Sequence, residues 1–178
     1  MENYTLKIID NFLSDQDFSE IKSLLLGSWF SWHYNPYIDH DPTIFPQAED
    51  YPENFQFIHW FYRHYHGRSE HLIKLDPILS KLDPAAIVRI KANLLVSSKT
   101  IIGHEFHTDF PDVHCKTAIF YINTNNGKTI FSDGTKVDSV ANRIVIFDSQ
   151  LPHTGTTCTD EKVRCVINFN YFEKVKHE

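Results

Sequence analysis

The stretch Val88-Arg-Ile-Lys-Ala-Asn-Leu-Leu-Val96 decides the fold class. Its even-numbered residues are all apolar, whereas Arg89, Lys91 and Asn93 between them are polar. Successive side chains of a β-strand point to opposite faces, so alternation of this kind is typical of a half-buried strand. We therefore expect one face of this strand in the core and a polar face on the other side.

Further short strands are predicted from here to the end of the chain. They are expected at 100–107, 117–123, 129–132, 143–147 and 163–172. The turns between them carry their own signals, Asn125-Asn-Gly127 and Ser132-Asp-Gly134.

The first half of the chain has a different pattern, with helices among its predicted elements. A strand at 4–9 precedes a helix that Ser14 caps and Gly27 stops, and a second helix at 71–82 is broken near Asp76-Pro77. The aromatic and histidine-rich segment 29–66 predicts strands interleaved with long loops. Helices followed by many short strands predict a mainly β fold, an antiparallel sandwich or barrel with helices packed outside.

Length and composition limit the class of protein. The chain has 178 residues, which favours a single domain over 1–178. Hydrophobic residues make up 42% and charged residues 22%, which excludes disordered and fibrous classes. No apolar run approaches the ~18 residues of a membrane span, and Met1-Glu-Asn-Tyr4 does not begin a secretory signal. A cytoplasmic protein with three reduced cysteines is expected.

The net charge of −6 indicates which partners the chain is not expected to attract. An acidic chain has no overall field that attracts a phosphate backbone, so nucleic acid is not an expected partner. No membrane partner is expected either.

The triplet His107-Thr-Asp109 is the first chemical signal. Residues two apart on a strand share a face, so both side chains can bind one ion. His153, which follows the predicted strand 143–147, is the best third ligand. Two imidazoles and a carboxylate on one face suit Fe(II) and leave coordination positions open. The alternative is a structural His–Asp pair.

Arg164 begins the last predicted strand and shares a face with Val166, Asn168 and Asn170. On 117–123, Tyr121 is a candidate partner. A guanidinium pairs bidentately with a carboxylate and a phenol adds a neutral hydrogen bond, so an inward Arg with a Tyr suits a carboxylate ligand. The alternative is a surface or strand-edge Arg beside an acidic residue.

The order His107-x-Asp109, His153, Arg164 resembles the iron(II)- and 2-oxoglutarate-dependent dioxygenase superfamily, whose fold is a double-stranded β-helix (jelly roll). The chain is most similar to its prolyl 4-hydroxylase-like branch. Three further segments carry that similarity: Asp10-Asn-Phe-Leu-Ser14, Ile119-Phe-Tyr-Ile-Asn123 and Arg164–Phe172.

The resemblance implies residue roles. His107, Asp109 and His153 would bind Fe(II), and Arg164 with Tyr121 would bind the distal carboxylate of the co-substrate 2-oxoglutarate. The implied reaction uses O2 to hydroxylate an unactivated C–H bond, with release of succinate and CO2. The candidate substrates are a peptidyl proline, another amino-acid side chain, a free amino acid and a small molecule.

Three positions depart from the branch. A Tyr usually touches the co-substrate from the strand before the His-x-Asp motif, and Asn93 is the candidate replacement. Oxygen-sensing proline hydroxylases carry a Trp where Asn170 stands, and a doubled Gly is reduced to Gly127-Lys128. These departures leave the iron chemistry alone and argue against proline as the substrate.

Three other functions are open. A nucleobase-repair dioxygenase resembles this pattern but carries a second Arg at the position of Asn170. A jelly-roll domain that binds a metal or ligand without turnover would keep the same residues. A zinc hydrolase also uses two imidazoles and a carboxylate, but it gives no role to Arg164 and Tyr121.

Overall fold

The alternating stretch 88–96 lies within a strand of 13 residues, Pro84–Val96. The computed structural model describes residues 6–38 and 52–175. The start of the expected strand 4–9 and part of the segment 29–66 lie outside these described residues. The helices are α1 (Asp15–Leu25), a 3-10 helix (Glu70–Leu75) and α2 (Asp76–Leu82). The strands are β1 (Lys7–Ile9), β2 (His33–Asn35), β3 (Gln56–Arg63), β4 (His66–Gly67), β5 (Pro84–Val96), β6 (Lys116–Tyr121), β7 (Lys128–Phe131), β8 (Lys136–Asp138), β9 (Ile144–Asp148), β10 (His153–Gly155) and β11 (Val163–Glu173).

The strands form two antiparallel sheets. The larger sheet has the order β1-β9-β6-β11-β5-β3-β2, with β4 added on β3. The smaller sheet has the order β10-β7-β8. Neighbours such as β5 and β11 are far apart in sequence, which is typical of sandwich topologies and agrees with the mainly β fold expected from the sequence.

One apolar layer lies between the two sheets. Val145 and Val166 of the larger sheet pack there with Phe131 and Val137 of the smaller one. Strand alternation explains this layer, since Val166 lies on the same face of β11 as Arg164 and Asn168. The face of β11 that carries polar residues is thus turned toward the smaller sheet.

The opposite face of the larger sheet is covered by the helices. Ile167 and Phe169 of β11 pack there in one cluster with Ile21 and Leu25 of α1 and with Ile78 of α2. The fold is therefore two sheets with helices outside, as the alternation and the helix signals predicted.

Local sequence signals position the helices. The Ser14 hydroxyl accepts a hydrogen bond from the Asp17 amide at 3.2 Å, which caps the start of α1. The second predicted helix divides at Asp76 into a 3-10 helix and α2, with Pro77 in the first turn of α2, where its missing N–H is not needed.

The segment that leads into α1 is held to the sheet by one buried side chain. The Asn142 Nδ2 donates to the Leu13 carbonyl at 3.0 Å, and the Leu13 amide donates to the Asn142 Oδ1 at 2.9 Å. Asn142 has a φ of 62°, a left-handed conformation that Asn tolerates better than most residues. This pair joins the helix layer to the turn before β9.

The structure differs from the predicted strands in two places. The expected strand 100–107 is irregular chain that forms only isolated bridges, Gly103 with Thr156 and His107 with His153. The short strands β8 and β10 were not predicted, since three residues are too few to show a period. No helix in the described part of the chain has the length and apolar character needed to cross a bilayer.

Candidate metal centre and adjoining cavity

His107, Asp109 and His153 come together at one end of the smaller sheet. The backbones of His107 and His153 are paired, with N–H···O distances of 3.0 and 2.9 Å in the two directions. One candidate ligand atom from each of the three residues lies within 4.8 Å of the others. The donor set is two imidazole nitrogens and one carboxylate oxygen, which fits a first-row divalent metal held on one face.

Asp109 is held by three side chains from the larger sheet. Arg89 Nη2 donates to Oδ1 at 2.6 Å, and Thr117 Oγ1 and Asn170 Nδ2 donate to Oδ2 at 2.9 and 2.8 Å. Burial raises the pKa of the Asp109 carboxyl, but the positive charge of Arg89, the hydrogen bond from Asn170 and the two neighbouring imidazoles together outweigh burial and hold it well below its ordinary value. Asp109 is therefore ionised and oriented, as a metal-binding carboxylate needs to be.

The surroundings of His153 orient its ring and favour its neutral form. Its Nδ1 lies 3.1 Å from the Leu151 carbonyl, which leaves Nε2 as the ligand atom. Burial among the rings of Phe131 and Phe147 lowers the pKa of His153, so the neutral imidazole is favoured. The neutral imidazole is the form that binds a metal.

Arg164 lies at the other end of the same cavity and is 4% exposed. Its Nε donates to the Ser139 hydroxyl at 2.8 Å and its Nη2 to the Thr129 hydroxyl at 3.2 Å. Burial lowers the pKa of Arg164, yet a guanidinium keeps its proton in proteins. Within residues 6–38 and 52–175 no carboxylate lies within 4 Å of it, so this buried cation lacks an anion. The alternative of a surface Arg paired with an acidic residue is wrong.

The Arg164 side chain packs closely against one glycine, Gly127. A Cβ on Gly127 would lie 2.7 Å from the Arg164 Cδ and 2.8 Å from the Thr157 carbonyl oxygen. The glycine retained at 127 is therefore required by the close approach of the Arg164 stem.

A cavity of about 110 Å³ connects the triad to Arg164. Its walls include Leu95, Ile119 and Val166, which are apolar, and Asn93, whose Oδ1 is buried without a hydrogen-bond partner among the described residues. Tyr121 does not line the cavity; its hydroxyl donates to the Thr129 hydroxyl at 2.8 Å and so steadies the group beside Arg164.

Several residues of this site were not assigned a role from the sequence. They are Arg89, Thr117 and Asn170 around the carboxylate, Thr129 under the guanidinium, and Lys91 in the cavity wall. Each stands two, four or six residues from a predicted site residue on its strand, or two residues after Gly127, so same-face spacing was the available signal.

Comparison with solved structures finds the same architecture. A prolyl hydroxylase from Trichoplax adhaerens, in complex with a hypoxia inducible factor peptide, aligns with a TM-score of 0.67 and 18% identity over 94% of this chain and 83% of its own. SnoK, an alpha-ketoglutarate-dependent carbocyclase of nogalamycin biosynthesis, aligns with a TM-score of 0.65 and 12% identity over 96% and 80%. A Pseudomonas putida prolyl-4-hydroxylase aligns with a TM-score of 0.53 and 13% identity over 97% and 95%.

No family model matches the sequence, and no curated protein matches it significantly. The similarity to known proteins is thus structural and concerns the fold. The similarity spans nearly the whole chain and includes proteins that the sequence motifs had pointed to. The chain has the double-stranded β-helix fold of the iron- and 2-oxoglutarate-dependent oxygenases, with the expected prolyl hydroxylases among its structural neighbours.

Proposed function

We propose that the protein is an iron(II)- and 2-oxoglutarate-dependent oxygenase that hydroxylates an unactivated C–H bond. The observation that carries the proposal is the cavity itself, which joins a His-Asp-His ligand set to a buried guanidinium that has no carboxylate within 4 Å among the described residues. A dicarboxylate that chelates the metal at one end and meets Arg164 at the other satisfies both.

The residue roles follow from that placement. His107, Asp109 and His153 hold Fe(II). Arg164 binds the distal carboxylate of 2-oxoglutarate together with the Thr129 hydroxyl, which Tyr121 orients. Asn93 is proposed as a further co-substrate residue, because its amide lines the cavity and its Oδ1, an acceptor, has no protein partner among the described residues.

The bound metal, co-substrate and O2 supply the oxidation of the C–H bond, with 2-oxoglutarate converted to succinate and CO2. The protein's own contributions are binding and orientation. Arg89, Thr117 and Asn170 keep Asp109 ionised and in position. Leu95, Ile119 and Val166 form an apolar wall that limits water beside the co-substrate.

Domain organisation and location belong to the same proposal. We assign residues 1–178 to one domain. The three cysteines are free and buried, which fits the reducing environment of the cytoplasm.

Anaerobic optical titration with Fe(II) and 2-oxoglutarate tests the proposal. Wild type is expected to develop a visible metal-to-ligand charge-transfer band, and His153→Ala is expected to lose it. Arg164→Ala is expected to reach half of the maximal band only at a 2-oxoglutarate concentration at least about tenfold higher than wild type needs, because a charge-assisted bidentate pair is lost. Arg68→Ala, an exposed arginine outside this cavity, is the matched control.

Two results would contradict the proposal. Fe(II) binding without a band in wild type would favour a zinc hydrolase or a binding domain without turnover. Failure of wild type to bind Fe(II) would exclude the triad as a metal site.

A further inference from the structure

Lys91 is a cation of the cavity that the proposed chemistry does not use. It is half-buried on β5, and the described residues offer it neither a hydrogen bond nor a carboxylate within 4 Å. Its Nζ lies 5.5 Å from the centroid of the Trp60 ring. Burial lowers the pKa of Lys91 to about 8, assisted by the charge of Arg89, and this value leaves the ammonium largely protonated at neutral pH. An unpaired ammonium is costly in such a place and suits an anionic ligand.

Lys91 and Arg164 lie in different parts of the site and can bind different anions. Lys91 lines the inner cavity and also a second cavity, of about 210 Å³, on the open side of the triad. Arg89, Glu105 and Thr108 line this second cavity, whereas Arg164 does not. Lys91 thus faces the entrance, while Arg164 lies at the inner end.

The neighbouring cation Arg89 already has an anion. Arg89 donates to Asp109 and to the Asn170 Oδ1, so its charge is neutralised by a carboxylate. Bound 2-oxoglutarate would bring two carboxylates, one for the metal and one for Arg164. Lys91 would then still lack an anion, since neither of these carboxylates nor any carboxylate of residues 6–38 and 52–175 is paired with it.

An aromatic groove is lined by Trp60, the ring that lies beside Lys91. It has a volume of about 630 Å³ and runs between β3 and the loop after Asp109, with Trp60, Tyr62, Ile87 and Phe110 in its walls. The guanidinium of Arg63 lies 4.4 Å from the Trp60 centroid, at the same groove. Walls of this composition bind the apolar surface of a ligand. The cations Arg63 and Lys91 lie beside Trp60, at the edge of the groove.

We propose that the substrate to be hydroxylated is a carboxylic acid whose carboxylate binds Lys91 and whose apolar part lies in the groove along Trp60 and Phe110. This inference rests on the proposed oxygenase function and adds the chemical class of the substrate. It makes Lys91 a substrate-binding residue distinct from the residues that bind 2-oxoglutarate.

The test uses the anaerobic enzyme saturated with Fe(II) and 2-oxoglutarate. Binding of 3-phenylpropanoate and of its neutral analogue 3-phenylpropanamide is measured by tryptophan fluorescence and by changes in the charge-transfer band. Wild type and Lys91→Arg are expected to bind the acid at least about tenfold more tightly than the amide, since only the acid forms a charge-assisted hydrogen bond. Lys91→Met is expected to lose this preference.

The same variants separate the substrate from the co-substrate. Lys91→Met is expected to keep the 2-oxoglutarate midpoint within about twofold of wild type, because Arg164 is intact. The control Lys99→Met alters an exposed lysine and is expected to match wild type in every measurement. Loss of Lys91 removes no hydrogen bond or ion pair of the described fold, so Lys91→Met is expected to fold normally.

Three outcomes would overturn the inference. They are equal affinities for the acid and the amide, binding of neither at millimolar concentration, and a tenfold rise of the 2-oxoglutarate midpoint in Lys91→Met. The third would assign Lys91 to the co-substrate. Absence of the charge-transfer band in wild type would instead be a failure of the proposed function, so the two failures are distinguishable.

Discussion

At the scale of single residues, the main feature of the site is the number of donors on Asp109. One oxygen accepts from Arg89, and the other accepts from Thr117 and Asn170. Asn170 also accepts from Arg89 Nε at 2.8 Å, so the amide positions both the ligand and the cation beside it. The residue that replaces the Trp of oxygen-sensing proline hydroxylases thus acts here as a positioning residue.

Asn170→Ala is therefore expected to weaken metal binding. Loss of a partner that orients a metal ligand typically costs about 10- to 100-fold in affinity. The affinity for Co(II) is measured by competition with a chromophoric chelator, and thermal unfolding is recorded in parallel without metal. A purely structural role would lower the melting temperature and leave the affinity of the folded protein unchanged.

Asn168→Ala is the matched control for this variant. Asn168 lies on the same face of β11, two residues away, and no bond from it to Asp109 is present. Equal metal affinities for the two variants would show that the Asn170 amide does not position Asp109.

At the scale of the elements, the helix layer depends on contacts that are distant in sequence. Leu13 and Asn142 exchange two buried hydrogen bonds just before α1 and just before β9. The segment Asp10–Ser14 resembled the entry segment of the branch, and its place in the fold is set by this pair. The neighbouring ion pair of Arg143 with Asp10, at 2.6 Å, is half-exposed and so adds little to stability.

Substitutions at Asn142 separate hydrogen bonding from backbone conformation. Asn142→Gly removes both hydrogen bonds and is expected to destabilise the protein by about 2 kcal/mol, since buried polar groups of Leu13 lose their partners. Asn142→Ala adds the cost of a left-handed φ for a residue with a Cβ, about 1 kcal/mol more. Urea denaturation at neutral pH measures both free energies of unfolding.

The critical result is which of the two variants has the lower free energy of unfolding. Equal destabilisation would show that the left-handed conformation at 142 carries no cost. Stability like that of wild type in both variants would show that the link between the entry segment and β9 is unimportant.

At the scale of the whole molecule, the candidate metal ligands connect remote parts of the chain. His107 and Asp109 lie in the irregular segment after β5, and His153 opens β10 in the smaller sheet. Asp109 is in turn bonded to β5, β6 and β11 of the larger sheet. A metal bound by all three ligands therefore joins both sheets.

Metal binding is expected to raise the unfolding temperature of the protein. A ligand present at about 100 times its dissociation constant stabilises the folded state by about 2.7 kcal/mol. For a chain of this size that corresponds to a shift of roughly 5–10 °C. Thermal scans with and without Co(II) measure it, and EDTA is expected to reverse it.

His153→Ala is expected to abolish this shift, whereas His66→Ala, an exposed histidine of β4, is expected to retain it. A shift of equal size in His153→Ala would mean that the metal stabilises the protein from another site.

Much of the fold was predictable from local patterns. Alternation at 88–96 and 163–172 correctly placed β5 and β11, and the capping residue Ser14 correctly placed α1. The mainly β class and the double-stranded β-helix are confirmed. The roles of His107, Asp109, His153, Arg164, Tyr121 and Asn93 remain predictions, although the structure places five of the six in one cavity and Tyr121 behind it.

The sequence by itself determined what depends on near neighbours: the period of each long strand, the helix cap, and the candidate ligands through their motif spacing. Only the tertiary structure decided that Asn170 holds Asp109, that Thr129 lies beside Arg164, and that Lys91 lies beside Trp60 in the cavity wall. The physical reason is that each of these contacts joins strands distant in sequence. Their register is set by pairing and packing across the two sheets, which no local period records.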